Sequence, residues 1–203
     1  MKKLITLLLL SLSYVCYTQN DKDVNEYYDE ICRKLEYGGR LEHGAKFKED
    51  VKIFVDGEKN DELISELNKI IYELNELIES INISITTDVK ESNLLIYFGD
   101  PEKYMRYVND YTISETLENN WGAFWFYRGV DRSKITLSEV FINTVDSRTI
   151  KQQKHLLREE LTQSLGFPND SYKYENSIFQ QKWTEINEFS ELDKKIIKMH
   201  YKT

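Results

Sequence analysis

Apolar residues fall into two alternating regimes along this chain, one with helical spacing and one with strand spacing. Between residues 61 and 79, Leu63, Leu67, Ile70, Ile71, Leu74, Leu77 and Ile78 form a single stripe, which predicts an amphipathic helix. Ahead of it, Val51, Ile53 and Val55 alternate with polar residues and stop at Asp56-Gly57, a strand and its turn. After it, Ile81, Ile83 and Ile85 alternate as a second strand. Asn93 to Phe98 is a continuous apolar run ending at Gly99, the pattern of a strand buried on both faces. Pro101 opens a short helix around Tyr104 to Val108.

Trp121 to Tyr127 and Ile135 to Ile142 are two more strand-like runs, with Gly129 to Lys134 turning between them. Residues 148 to 165 predict a second long helix, ended by Gly166 and kept from resuming by Pro168. Residues 22 to 37 predict a leading helix, with Tyr27, Ile31 and Leu35 at helical spacing. Phe189 to Tyr201 predicts a closing one, with Ser190 as its N-cap. The expected fold class is therefore α+β: a mixed, mostly five-stranded twisted sheet with two long helices packed on it, then a turn and a last helix.

The first eighteen residues follow a different logic. Lys2 and Lys3 precede an apolar run from Leu4 to Leu12, too short to cross a bilayer and followed by polar residues. This is the layout of an export signal cut after Thr18. The alternative, a lipoprotein anchored through Cys16, is disfavoured by Val15, since a small residue is wanted before the modified cysteine. Residues 19 to 203 then form one domain: an N-terminal helix and loop (19–50), the sheet with its long helices (51–166), and a turn with the C-terminal helix (167–203).

The chain of 203 residues carries 27 Lys and Arg against 35 Asp and Glu, a formal net charge of −8, and loss of Lys2 and Lys3 takes it to −10. No long basic run offsets this, so nucleic acid and anionic membranes are excluded as partners. Cys32 is the one cysteine left after cleavage, which excludes an internal disulfide or a thiolate metal cluster and gives it a packing role. With 8 glycines and no glycine-rich phosphate motif, nucleotide chemistry is excluded as well.

Candidate chemistry concentrates in the helix over 148–165. His155, Glu159 and Gln163 are four residues apart and share one helical face, with Glu160 beside them. Asn169 and Asp170 follow the Gly166-Phe167-Pro168 turn. Read without function, the two glutamates are solvated or paired helix charges near Arg158. Gln163 is then a buried amide bonding to backbone, and Asn169-Asp170-Ser171 is turn chemistry. His43 and His200 have no ligand pattern around them and take structural roles.

Three separated pieces resemble the metzincin metalloproteases. Glu159-Glu160-x-x-Gln163-x-x-Gly166 occupies the frame of H-E-x-x-H-x-x-G. Ser177-Ile178-Phe179-Gln180, preceded by Tyr174, resembles the Met-turn, with Phe179 in place of the methionine. Ser190-x-x-Asp193-x-x-Ile196-Ile197 with Tyr201 is similar to the closing helix. The run from Arg158 to Ser171 further resembles a bacterial secreted family of unknown function, DUF2927, whose members look zincin-like.

The resemblance implies a zincin-like fold in which Gly166, Tyr174, Ser177 and Phe179 build the turn and floor. Glu160 takes the general-base position, and Glu159 and Gln163 stand where imidazoles hold zinc. A neutral amide is a poor zinc ligand, so no cofactor is expected. A divalent metal held by His155, Glu159, Gln163 or Asp170 is the alternative.

Two functions follow from the resemblance. One is an exported, catalytically degenerate domain that binds a peptide or envelope protein along the edge strand Trp121 to Tyr127. The other is a peptidase-like hydrolase with Glu160 as general acid/base, aided by an atypical metal or by a second carboxylate such as Asp170, Glu139 or Glu175. A purely structural role for the two glutamates is the third reading.

Overall fold

The structure, a computed structural model, describes residues 21–35, 38–42, 44–145 and 148–202. The expected export signal over 1–18, with Cys16, and His43 lie outside the described residues.

The leading helix α1 (Asp21–Arg33) ends four residues short of its expected limit, and Lys34 turns back to bridge Arg40. A two-residue strand, β1 (Lys46–Phe47), precedes β2 (Val51–Gly57). Helix α2 (Asp61–Leu77) starts at Asn60, whose side chain accepts from the backbone N–H groups of Glu62 and Leu63. Then come β3 (Ile83–Thr86), a single 3-10 turn (Val89–Glu91) and β4 (Leu94–Gly99).

Pro101 does open a short helix, α3 (Pro101–Val108), capped by Asp100. A further short helix, α4 (Ser114–Asn119), has no clear periodic signal in the sequence. The hairpin β5 (Gly122–Arg128) and β6 (Lys134–Asn143) leads to α5 (Ile150–Ser164) and finally α6 (Glu191–Tyr201). Both last helices begin with reciprocal capping boxes, Thr149 with Gln152 and Ser190 with Asp193.

The sheet has six strands rather than five. β6 is its hub: β4 and the short β1 run parallel to it, β5 runs antiparallel, and β2 and β3 continue outward from β4, all parallel. Every pairing but β5–β6 is thus parallel, and helices are interleaved with strands. Because β2–α2–β3 is a crossover unit, the expected mixed sheet with helices packed on it takes the α/β form rather than α+β.

Residues alternate between the two faces. Ile96, Phe98, Val140 and Ile142 enter the main core with α2, α5 and α6. Leu95, Tyr97 and Phe141 turn to the other face, where Tyr104, Met105 and Leu117 of α3 and α4 make a smaller cluster. Helix α5 is buried nearly all round, since it sits between the sheet, α2 and the C-terminal segment. Its polar groups are partnered accordingly. The fully buried Arg158 reaches Glu66 and Glu73 on α2, the latter in a short contact, and lies over the Phe189 ring.

Helix α5 ends at Gly166 for a steric reason. Its φ is +119°, and a Cβ there would lie 2.0 Å from the Ala45 carbonyl oxygen and 2.8 Å from His200 Nε2. No helix of the described residues is long and apolar enough to cross a membrane.

Candidate functional site

A cleft of about 710 Å³ runs between the β5 strand and α5. Gly122, Phe124 and Phe126 form its β5 wall, and His155, Glu159, Glu160 and Gln163 its α5 wall. Pro168, Asp170 and the segment from Gln180 to Trp183 close one side, and Leu35, Gly38 and Leu41 the other. Every candidate ligand position of the sequence analysis therefore lines one cavity.

Helix geometry brings His155 and Glu159 together, with Nε2 3.3 Å from Oε2. The histidine is held by its other nitrogen: Nδ1 donates to the Ile186 carbonyl at 2.7 Å, so the neutral ring presents its Nε2 lone pair to the Thr184 hydroxyl at 3.3 Å. Proximity to Glu159 suggests an ion pair, but burial pushes the His155 pKa below its usual value. The Ile186 carbonyl and the charge of Glu185 act the other way, towards the protonated ring, and burial outweighs them.

Glu160 lies against the strand. A Cβ on residue 122 would fall 2.6 Å from its Oε1 and 2.8 Å from its Cγ, so Gly122 is what lets α5 approach the edge strand here. The only sequence sign of this is a glycine placed inside an aromatic run, the mark of a close approach.

Gln163 does not bond to backbone as expected. Its Nε2 donates to Asp170 Oδ1 at 2.5 Å, drawing the turn after Gly166 back to the helix. The residues do not fit a metal of the kind the resemblance implies. The Gln163 amide is committed to Asp170, and Asn169 Nδ2 donates to the Asp170 carbonyl at 2.7 Å. Among the described residues no three His, Cys, Asp or Glu side chains form a group that could hold a metal ion.

Of the other proposed carboxylates, Asp170 shares the cleft, but Glu139 and Glu175 do not. Glu139 sits on the opposite sheet face, because neighbours along a strand alternate. It accepts from the Tyr104 hydroxyl at 3.0 Å, and burial raises its pKa. Glu175 is exposed on the turn and outside the lining.

The turn residues form a structural network behind the cleft. Tyr27 donates to Ser177 Oγ at 2.8 Å, and Ser177 donates to Asp193 Oδ1 at 2.5 Å. Asp193 Oδ2 accepts from the Ile178 and Ser190 backbone N–H groups at 3.1 and 2.9 Å. Tyr174 packs edge-on against Tyr27, and Phe179 stacks on Phe167 in the core. His200 is buried too: Nε2 donates to the Ala45 carbonyl at 3.0 Å, and burial pushes its pKa down to about 4.

Sequence reasoning placed Trp121 on the edge strand but missed Trp183, which joins it at one end of the cleft. Trp121 and Trp183 meet edge to face at 5.4 Å, His155 packs against Trp183, and the Arg148 guanidinium lies over the Trp121 ring. These residues are far apart in sequence, and no local pattern joins them.

A parallel sheet with one antiparallel edge strand, and a polar cleft beneath that edge, define a mixed α/β domain. The chain belongs to the DUF2927 family of proteins of unknown function, whose profile matches residues 21–203. No curated protein matches it in sequence. Among solved structures it is similar to two of myroilysin. One has 9% identity over 86% of this chain and 91% of that one, with a TM-score of 0.48. The other has 10% identity over 75% and 92%, with a TM-score of 0.44.

Proposed function

We propose that this chain is an exported, zincin-like domain that has lost metal chemistry and binds an extended peptide segment of another protein along the β5 edge. The observation that carries the reading is the state of that edge. Among the described residues, β5 pairs with β6 alone.

Bonds around β6 give the pattern of its backbone. The Asn143 N–H donates to the Trp121 carbonyl on the β5 side at 2.8 Å, whereas the Ser138 and Thr144 N–H groups donate to Asn93 and Gly99 on the β4 side. With Gly122 opposite Ile142 and Phe124 opposite Val140, alternation turns the N–H and C=O groups of Gly122, Phe124 and Phe126 away from β6. A row of outward backbone groups above a cleft is the template for strand addition.

The metzincin resemblance supports the same surface, since the corresponding edge takes substrate in the active relatives. The Gln163–Asp170 bond supports the loss of metal chemistry, because it ties together two of the positions a metal would need. Export rests on Lys2, Lys3 and the apolar run that follows them.

The test is backbone protection. Peptides selected from a random display library on the purified protein are added to labelled protein, and amide exchange is followed by NMR. Binding should slow exchange at Gly122, Phe124 and Phe126 and leave Ala123 and Trp125, already bonded to β6, unchanged. Peptides that bind without this alternating protection would sink the reading.

A further inference from the structure

We infer that the peptide bound along β5 carries a basic side chain, Lys or Arg, at the position that falls beside Gly122. This rests on the edge-strand reading above and gives its partner a chemistry. A strand added to the β5 edge continues the pleat, so its alternate side chains point to the α5 face as Phe124 and Phe126 do. Beside Phe124 and Phe126 such a side chain meets aromatic surface. Beside Gly122 it meets no side chain from the strand, and the group nearest that gap is Glu160, whose Oε1 would be 2.6 Å from a Cβ at residue 122.

Glu159 is the next residue on the helix and lines the same cavity, its side chain 14% exposed. Two carboxylates at low exposure thus stand under the one part of the edge strand that has no side chain. Opposite charge entering that space gains Coulomb energy in a weakly hydrated setting, and an acidic side chain is repelled.

The neighbouring aromatic pair gives independent support. Trp121 and Trp183 stand at this end of the cleft; the Arg148 guanidinium covers one face of Trp121, so the indoles offer an incoming side chain apolar surface for its stem rather than a seat for its charge. An alkyl stem beside the indoles with its charge on the glutamates is a favourable arrangement for a long basic side chain. The cationic residues of the lining, Arg128 and Lys182, are both solvent-exposed. The net charge of −8 favours encounter with a basic segment.

The experiment is a heptapeptide display selection on the purified protein, followed by synthesis of the strongest binders as fluorescein conjugates. Each is paired with a twin in which the basic residue becomes norleucine. Lys or Arg should be enriched at one fixed position, and the norleucine twin should bind about tenfold more weakly. Glu160→Gln should weaken the basic peptide by a similar factor and leave its twin unchanged, and Glu159→Gln should act in the same direction. Thermal melts check that both variants fold.

Peptides that protect Gly122, Phe124 and Phe126 without a basic preference overturn this inference and leave the edge-strand reading standing. The same holds for basic peptides indifferent to both glutamine variants. A library that yields no peptide protecting those amides overturns both.

Discussion

Two clusters of polar side chains lie within a few residues of each other in this protein, and they are built on opposite rules. Behind the cleft, Tyr27, Ser177, Ser190 and Asp193 are joined by hydrogen bonds, in which the backbone N–H groups of Ile178, Ser190 and Asp193 also take part. Asp193 is fully buried, and its position is dictated by groups that cannot move without unwinding α6 or the turn. In the cleft, Glu159, Glu160, Gln163 and Asp170 stand on one side of a cavity facing a strand edge. The lesson is that polarity inside a fold has two meanings. Closed deep in the fold it holds the chain together, and on the wall of a groove it also sets what the groove can accept.

The comparison is broken most forcefully at Asp193. Replacing it with Ala leaves the Ser177 hydroxyl and the Ile178 and Ser190 N–H groups without their acceptor, each costing about 1–3 kcal/mol when buried. Allowing for relaxation, Asp193→Ala should destabilise the domain by about 4 kcal/mol in urea unfolding. A loss below about 1 kcal/mol would show that the network does not hold the turn.

Acidification probes the same side of the molecule. His200 has a folded pKa of about 4, against 6.5 when exposed, so the unfolded chain binds its proton first as pH falls. Its contribution is fully present above about pH 6.5 and is lost as pH falls towards 4. At 1.36 kcal/mol per pKa unit this amounts to about 3 kcal/mol. Asp193, whose pKa burial raises, acts in the opposite direction at lower pH. Stability measured from pH 7 to 5 should therefore fall in the wild type and fall less in His200→Gln. Equal slopes would remove His200 as the cause.

Gly122 joins the cleft to the fold. Gly122→Ala pushes a methyl onto Glu160, an overpacking cost of about 1–3 kcal/mol. Glu160→Ala made in the same chain should recover most of it. A double-mutant cycle showing no coupling would place Glu160 elsewhere in solution.

The smallest effect on stability is expected from Glu160→Gln itself, below the cost of Gly122→Ala, since the change keeps the shape of this buried side chain. A large loss of stability would move Glu160 into the class of Asp193. Loss of a hydrolytic turnover in this variant would instead favour the hydrolase reading over a binding domain.

Most of the fold is legible in the residues. The stripe from Leu63 to Ile78, the alternation in β2 and β3, and the Ser190 cap each report a local preference that the final structure keeps. Local signals also mark the turn after α5, because Gly166 is needed where no other residue fits. What failed was of two kinds. Helix α4 and strand β1 are too short to carry a period, and α1 stops at Arg33 although Leu35 continues its spacing, because the chain must turn to pair Lys34 with Arg40.

The candidate site divides in the same way. The sequence by itself determined that His155, Glu159 and Gln163 share a helical face, since spacing of four residues on a helix leaves no choice. It could not show that Arg158 turns from its glutamate neighbours to Glu66 and Glu73, that Glu139 lies across the sheet, or that Gln163 binds Asp170. Those outcomes depend on which elements pack against α5 and on the hand of each strand's alternation, and both are settled only when distant segments meet. Tertiary structure alone decided that a glycine in β5 lies over Glu160, and so that the two carboxylates stand beneath an unpaired strand edge. Such proximity is a matter of sheet order, and no window along the chain contains it.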